Sequence, residues 1–572
     1  MTFRAPVGEF DFILKNVVNF EMVTATERFG DTDSEVADAI LKEAAKICDD
    51  VLAPLQRNGD LEGAILENGI VRTSPGFAQG YHEIANGGWV GISASPEHGG
   101  MGLPHTLATA VNDMMSGACL ALQLNPLMTQ GQIEALEHHA SEEIKALYLP
   151  KLISGAWSGT MNLTEPQAGS DVGALRSTAT PNGDGTYSVS GQKIFISWGD
   201  NDFTENVCHL VLARLPDAEK GTKGISLFMV PKLIPDADGK PGLANRLKVV
   251  SLEHKMGLHG SPTCVMQFDG ATGWMIGKPH QGMKAMFTMM NNARLGVGVQ
   301  GIGQAEGAFQ KAVEHASERT QGRTLFGTGT GAIIDHPDVR RMLATMKAEV
   351  FTARSIALDC AVAIDMARAT GDAAWAARAA FLTPIAKAFG TDIGCEVAHM
   401  GVQVHGGMGY IEETGAAQFS RDVRVTAIYE GTNGVQAADL VGRKLSDDGA
   451  AAYALLDEIK ALAESAGEDF QDMAAAVLDA SESVRHATGW MCEHSDIADR
   501  LAGSVPFLRA FARVLGAHFH LKAALAEGID GARHRLAAFY VDRILPEHMS
   551  LLRHAEAGAV GLIAVTEQDL AG

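Results

Sequence analysis

Paired cysteines are missing from this sequence: its seven, Cys48, Cys119, Cys208, Cys264, Cys360, Cys395 and Cys492, stand singly, with no C-x-x-C among them. That spacing indicates neither a zinc site nor a disulfide framework, so buried free thiols in a reducing compartment are expected. Long apolar runs are missing too. No segment approaches the roughly 18 consecutive apolar residues of a membrane span. The opening MTFRAPVGEFDFILKNVV has no basic stretch followed by an apolar one, so a soluble, cytoplasmic chain with no membrane partner is expected. Positive charge is scarce, with 46 Lys plus Arg against 69 Asp plus Glu and a formal net charge of -23. Such a surface repels a phosphate backbone, which argues against nucleic acid as a general partner. An anionic small ligand would need a local basic group.

What is present is ordinary for packed protein: 46% hydrophobic and 20% charged residues. A chain of 572 residues exceeds one hydrophobic core, and about three or four domains are expected. ADAILKEAAKICDDVLAPL and HTLATAVNDMMSGACLALQL place apolar residues at helical spacing, separated by the irregular GGWVGISASPEHGGMGLP. These define an N-terminal helical unit, residues 1–156. TYSVSGQKIFIS, HLVLARL, GISLFMV and TCVMQFD are short β-rich runs within 157–279. Helical periodicity returns over 280–445. After the linker-like SDDGAAA it persists over 446–572.

The run NLTEPQAGSDVGA, residues 162–174, is a loop by composition. Alone it reads rather as a cluster of caps and turns in which Thr164, Ser170 and Asp171 serve only local hydrogen bonds. Gly296, Gly298 and Gly301 spell G-x-G-x-x-G, but the preceding MFTMMNNARL is no convincing strand. A small-residue helix face is therefore expected rather than a nicotinamide site.

LTEP-x-AGSD, KIFIS, KMGLHGSPT, QVHGGMGYIEE and IYEGTN, in that order, resemble the acyl-CoA dehydrogenase family over about residues 85–445. The resemblance implies N-terminal helices, a β-barrel-like middle domain, a C-terminal four-helix bundle carrying the catalytic Glu, and here an extra C-terminal helical domain. It also implies FAD in a cleft where they meet. Thr164 and Ser170 would contact flavin and pyrophosphate. Phe195 would pack on the isoalloxazine, although its spacing alone suits a strand core. The Ser197 hydroxyl would approach flavin N5. Arg319 and Gln321, with Gln403, Gly406 and Gly407, would reach FAD bound mainly by another subunit; alone, Arg319 reads as a solvated helix charge. Thr432 and Asn433 would lie near the nucleotide end. His405 is given no role.

Glu430 would be the base that removes the α-proton of an acyl thioester, because that chemistry needs one carboxylate within reach of the carbon acid. Burial should raise its pKa toward roughly 6–7. Arg294 would lie by the thioester or coenzyme A, its alternative being a helix-surface salt bridge. The resemblance further implies an acyl-CoA substrate, reoxidation by electron-transfer flavoprotein, and a homodimer or larger assembly. His259 and Gln418 depart from the family pattern where basic residues are usual.

The opening FRAPVGEFDFILKNVV, the QGR of SERTQGR and the C-terminal extension look most like one bacterial branch, the 3-methylmercaptopropionyl-CoA dehydrogenases of dimethylsulfoniopropionate breakdown. That implies conversion of 3-methylthiopropionyl-CoA to 3-methylthioacryloyl-CoA. Medium- or long-chain fatty acyl-CoA substrates, or oxygen as acceptor in an oxidase, are alternatives. A DNA-binding flavoprotein relative is disfavoured, since residues 446–572 carry 20 Asp plus Glu against 10 Lys plus Arg.

Overall fold

The computed structural model describes residues 3–324 and 331–572. The N-terminal unit is helical, with the Ser34–Ile47 helix capped by Asp33, whose carboxylate accepts from the backbone N–H of Glu35 and Val36. A small hairpin, Ile65–Glu67 with Ile70–Arg72, interrupts the helical pattern. Its turn is Asn68-Gly69, both at positive φ (52° and 79°), the dipeptide that suits a two-residue hairpin turn. Helical periodicity on either side masked that signal.

The His105–His139 helix is buried along most of its length and is broken at Cys119 (φ -156°, ψ 87°). Just past the break the Trp198 indole N–H donates to the Ala121 carbonyl at 3.1 Å. A β-domain side chain thus satisfies a carbonyl at the helix break.

Seven strands form the middle sheet: β1 (Trp157–Asn162), β2 (Thr178–Pro181), β3 (Tyr187–Ser197), β4 (Asn206–Arg214), β5 (Ile225–Pro231), β6 (Leu247–Leu252) and β7 (Thr263–Ile276). Their order is β6-β7-β3-β2-β4-β1, and β5 pairs with both β7 and β4. The path β7-β3-β2-β4-β5 therefore returns to β7, closing a barrel and leaving few free edges. Val189, Val211, Phe228, Val230, Met266 and Phe268 fill it.

The helices Gly282–Glu318, Pro337–Thr370 and Ala373–His405 pack with His105–His139 as a bundle. The glycines of the G-x-G-x-x-G lie inside the first of these helices, as the sequence predicts. A Cβ on Gly298 would lie 2.5 Å from the Ala386 carbonyl oxygen, and one on Gly301 2.5 Å from that of Gly390. Only glycine permits this spacing. Gly301→Ala should destabilise the protein by about 1–3 kcal/mol through overpacking, read as a lower thermal midpoint; an unchanged midpoint would contradict the close approach.

The C-terminal helices fold back onto the bundle. Arg513, on the buried Ser504–Glu527 helix, is held at 2.6 Å by Glu349 of the Pro337–Thr370 helix. Arg533 pairs with Glu9 near the N-terminus. All seven cysteines are free, with Cys395 and Cys492 half-buried and the rest buried. No helix among the described residues is long and apolar enough to cross a membrane.

Candidate active site

Glu430 sits on a turn between the Arg424–Ala427 helical turn and the Asn433–Asp439 helix. Its φ is +54°, a left-handed value unusual for a side-chain-bearing residue, and Gly431 follows at +86°. Several bonds hold this conformation. The Glu430 carbonyl accepts from Gln436 Nε2 at 3.1 Å. Thr432 caps the helix, its hydroxyl accepting from Val435 N–H at 3.3 Å. Lys387, on Ala373–His405, donates to the Gly431 carbonyl and to Asn433 Oδ1, both at 2.8 Å. Asn433 Nδ2 in turn donates to Asp392 Oδ1 at 2.6 Å.

Burial pushes the Glu430 carboxyl up to about 7, opposed by the nearby Arg294 and Lys387 cations. The residue as a whole is partly exposed; packing around its carboxyl governs the titration. Arg294 is buried rather than on a helix surface, at 7% exposure, and pairs loosely with Asp439 at 3.7 Å. Its Nε has no hydrogen-bond partner among the described residues. Tyr429 donates to Gln300 Oε1, fixing the residue before the base to the Gly282–Glu318 helix.

On the β-domain side, the β3–β7 register shifts between Cys264 and Met266, and Phe195 lies in the resulting bulge at φ +61°. The ring is 59% exposed, so it is no strand-core residue. A bulge turns its side chain out of the alternation that would have buried it. Ser197, opposite Thr263, is half-buried two residues on.

The 162–174 loop is fastened beside them. Ile194 N–H donates to the Thr164 carbonyl at 2.9 Å. Glu165 pairs with Lys193 at 2.8 Å, both fully enclosed. Glu165 also accepts from Arg176 N–H, Ser177 N–H and the Ser177 hydroxyl, at 2.7, 3.0 and 2.6 Å. Burial raises the Glu165 pKa, but Lys193 and these donors bring it down to about 2. Ser170, at the loop's tip, is exposed. An outward aromatic ring on strained backbone beside a rigid polar loop fits a planar, phosphorylated cofactor such as FAD.

Arg319, Gln321, Gln403, Gly406 and Gly407 are exposed at one end of the bundle. The stacked rings of His315 and His405, 4.4 Å apart, bring their two helix ends together. No hydrogen bond joins this group to Glu430 or Phe195 among the described residues. His405 also meets the Gly401 carbonyl through Nδ1 at 2.7 Å. Gln418 is buried and donates to the Gln56 carbonyl at 2.7 Å, and His259 lies 3.0 Å from the Asp60 carboxylate.

Sequence reasoning missed Lys387, Glu165 and Lys193 as parts of the site. A lone Lys inside the apolar run PIAKAFG was a legible signal for the first. Glu165 and Lys193 lie within the LTEP and KIFIS motifs, but nothing in the sequence marks their pairing, which is a long-range contact.

Comparison with known proteins places four domain descriptions along the chain. They are the acyl-CoA dehydrogenase N-terminal domain over residues 34–156, its middle domain over 160–271, its C-terminal domain over 280–445, and an acetyl-CoA dehydrogenase C-terminal-like domain over 455–566. The 3-methylmercaptopropionyl-CoA dehydrogenase of Ruegeria pomeroyi is 44% identical over 521 residues, 89% of this chain and 88% of that protein. The solved structure of Caenorhabditis elegans ACDH-11 in complex with C11-CoA shares the fold at 19% identity and a TM-score of 0.81, over 96% of this chain and 92% of that one. The Bacillus anthracis acyl-CoA dehydrogenase complexed with FAD does so at 20% identity and a TM-score of 0.75, over 100% and 94%.

Proposed function

Since the chain belongs to the acyl-CoA dehydrogenase family, we propose that this FAD-dependent acyl-CoA dehydrogenase acts on 3-methylthiopropionyl-CoA, yielding 3-methylthioacryloyl-CoA, with Glu430 as the base. The desolvated carboxyl of Glu430, pushed up to about 7 between two cations, carries the catalytic part of this reading. A base serves best when its pKa lies near the working pH. The substrate part is supported by similarity to the Ruegeria pomeroyi enzyme.

Glu430 takes the α-proton, and its own backbone N–H donates to the thioester oxygen, stabilising the charge that develops there. Arg294, with an unengaged Nε, offers a cation to the thioester or coenzyme A. FAD, when bound, supplies the acceptor for the β-hydride. Phe195, Ser197, Thr164 and Ser170 hold it from the β-domain, and Thr432 and Asn433 from the base turn. Arg319, Gln321, Gln403, Gly406 and Gly407 reach the cofactor of a second subunit, which makes the enzyme a homodimer or larger. Electron-transfer flavoprotein is the acceptor and the cytoplasm the place of action.

The test is anaerobic flavin bleaching by 3-methylthiopropionyl-, butyryl-, octanoyl- and palmitoyl-CoA. The first should give the highest kcat/KM; faster reduction by a straight-chain thioester would overturn the substrate assignment. Because the base must be ionised, kcat/KM should fall about tenfold per pH unit below about 7 and level off above it. A flat profile from pH 5 to 8 would exclude a base of that pKa.

A further inference from the structure

Five Lys and Arg residues are buried among the described ones: Lys193, Arg294, Arg354, Lys387 and Arg513. Four of them have a carboxylate within salt-bridge distance: Glu165, Asp439, Asp113 and Glu306, and Glu349 respectively. Lys387 has none. It is 0% exposed, and its two hydrogen-bond acceptors, the Gly431 carbonyl and Asn433 Oδ1, are neutral. An enclosed ammonium without a paired anion is costly, so the chain keeps this one for a purpose. Its acceptors flank one side of the base turn, and the Glu430 carboxylate is the leading anion in its field, followed by Asp392.

We infer that Lys387 is a positioning residue of this site: its ammonium holds the left-handed turn at Gly431 and Asn433 and presents to the base a positive charge that no carboxylate among the described residues pairs. The other charges around the base are accounted for. Arg294 comes from the Gly282–Glu318 helix, Asp439 and Arg443 stand behind Arg294, and Asp392 lies on the Lys387 helix itself. Arg294 is offset by Asp439, which leaves Lys387 as the cation with no carboxylate of its own. This inference rests on Glu430 being the base.

The experiment is the pH profile of kcat/KM for flavin reduction by 3-methylthiopropionyl-CoA in the FAD-loaded enzyme and three variants. Lys387→Gln keeps a donor toward Gly431 without the charge, and its half-maximal pH should move up by about one unit or more. Lys387→Arg keeps the charge and should stay within about 0.3 of wild type, since a guanidinium remains protonated throughout. Asp392→Asn removes the more distant anion that acts on Lys387 after Glu430 and should move the limb toward acid. An unshifted Lys387→Gln, or a Lys387→Arg shifted as far as the Gln variant, overturns the inference. Where Lys387→Gln fails to hold FAD, Asp392→Asn decides: an acid shift supports the role and an unmoved limb rejects it. Glu430→Gln separates the two readings. If it bleaches at the wild-type rate, the base assignment is wrong; if it is inert while the Lys387 profiles do not move, only the role of Lys387 fails.

Discussion

Glu430→Gln protein should purify yellow, with normal FAD content, and yet bleach with acyl-CoA about 10²–10⁴-fold more slowly than wild type, the range that a positioned general base supplies. Gln is close to isosteric, and the contacts that shape the turn use the Glu430 carbonyl, the Gly431 carbonyl and the Asn433 side chain. The substitution therefore leaves the backbone bonds intact and removes only the proton acceptor. Removing a carboxyl that is already costly to ionise should raise stability slightly or leave it unchanged. Stopped-flow absorbance under nitrogen reads the rate, and thermal unfolding checks the fold. Wild-type bleaching would refute the assignment; lost flavin together with a collapsed thermal midpoint would instead make Glu430 part of the scaffold.

Glu165→Ala should be the most damaging single change outside the bundle. Lys193 is fully enclosed and, among the described residues, its only carboxylate partner is Glu165, so truncation strands a buried cation at a penalty of about 3–5 kcal/mol. Three further donors from Arg176 and Ser177 lose their acceptor at the same time. Because these bonds anchor the 162–174 loop, FAD content should fall with stability. The pH dependence has a defined sign. The folded-state pKa of Glu165, about 2, lies below the unfolded value of about 4.3. Its contribution is therefore present above that value and is lost as pH falls toward 2. Denaturant titrations at pH 7 and pH 4 should show wild type losing more stability on acidification than the variant. Equal losses would mean that the pair adds nothing.

Much of this fold was legible from periodicity. Helical spacing marks the N-terminal unit and the bundle, and β-branched runs mark the barrel strands, because both patterns are imposed by local burial. The Asn68-Gly69 hairpin was legible as well but lay between two strong helical signals. The site was legible only through its motifs. Nothing local to Phe195 or Glu430 announces a left-handed backbone, since neither is Gly, Asn or Asp; the surrounding structure imposes it. That Arg294 is buried beside Asp439 rather than solvated is a fact of tertiary packing, since the two lie on different helices far apart in the chain. The Glu165–Lys193 pair spans 28 residues along the chain, and no single-sequence pattern links its ends.

Arg513 gives the last segment of the chain a standing that an appended module would not have. Glu349 is buried in the middle of a bundle helix, and its pairing cation comes from the Ser504–Glu527 helix. A version cut at residue 446 would lose that cation together with the cover the Ser504–Glu527 helix gives to Glu349 and the apolar side chains around it.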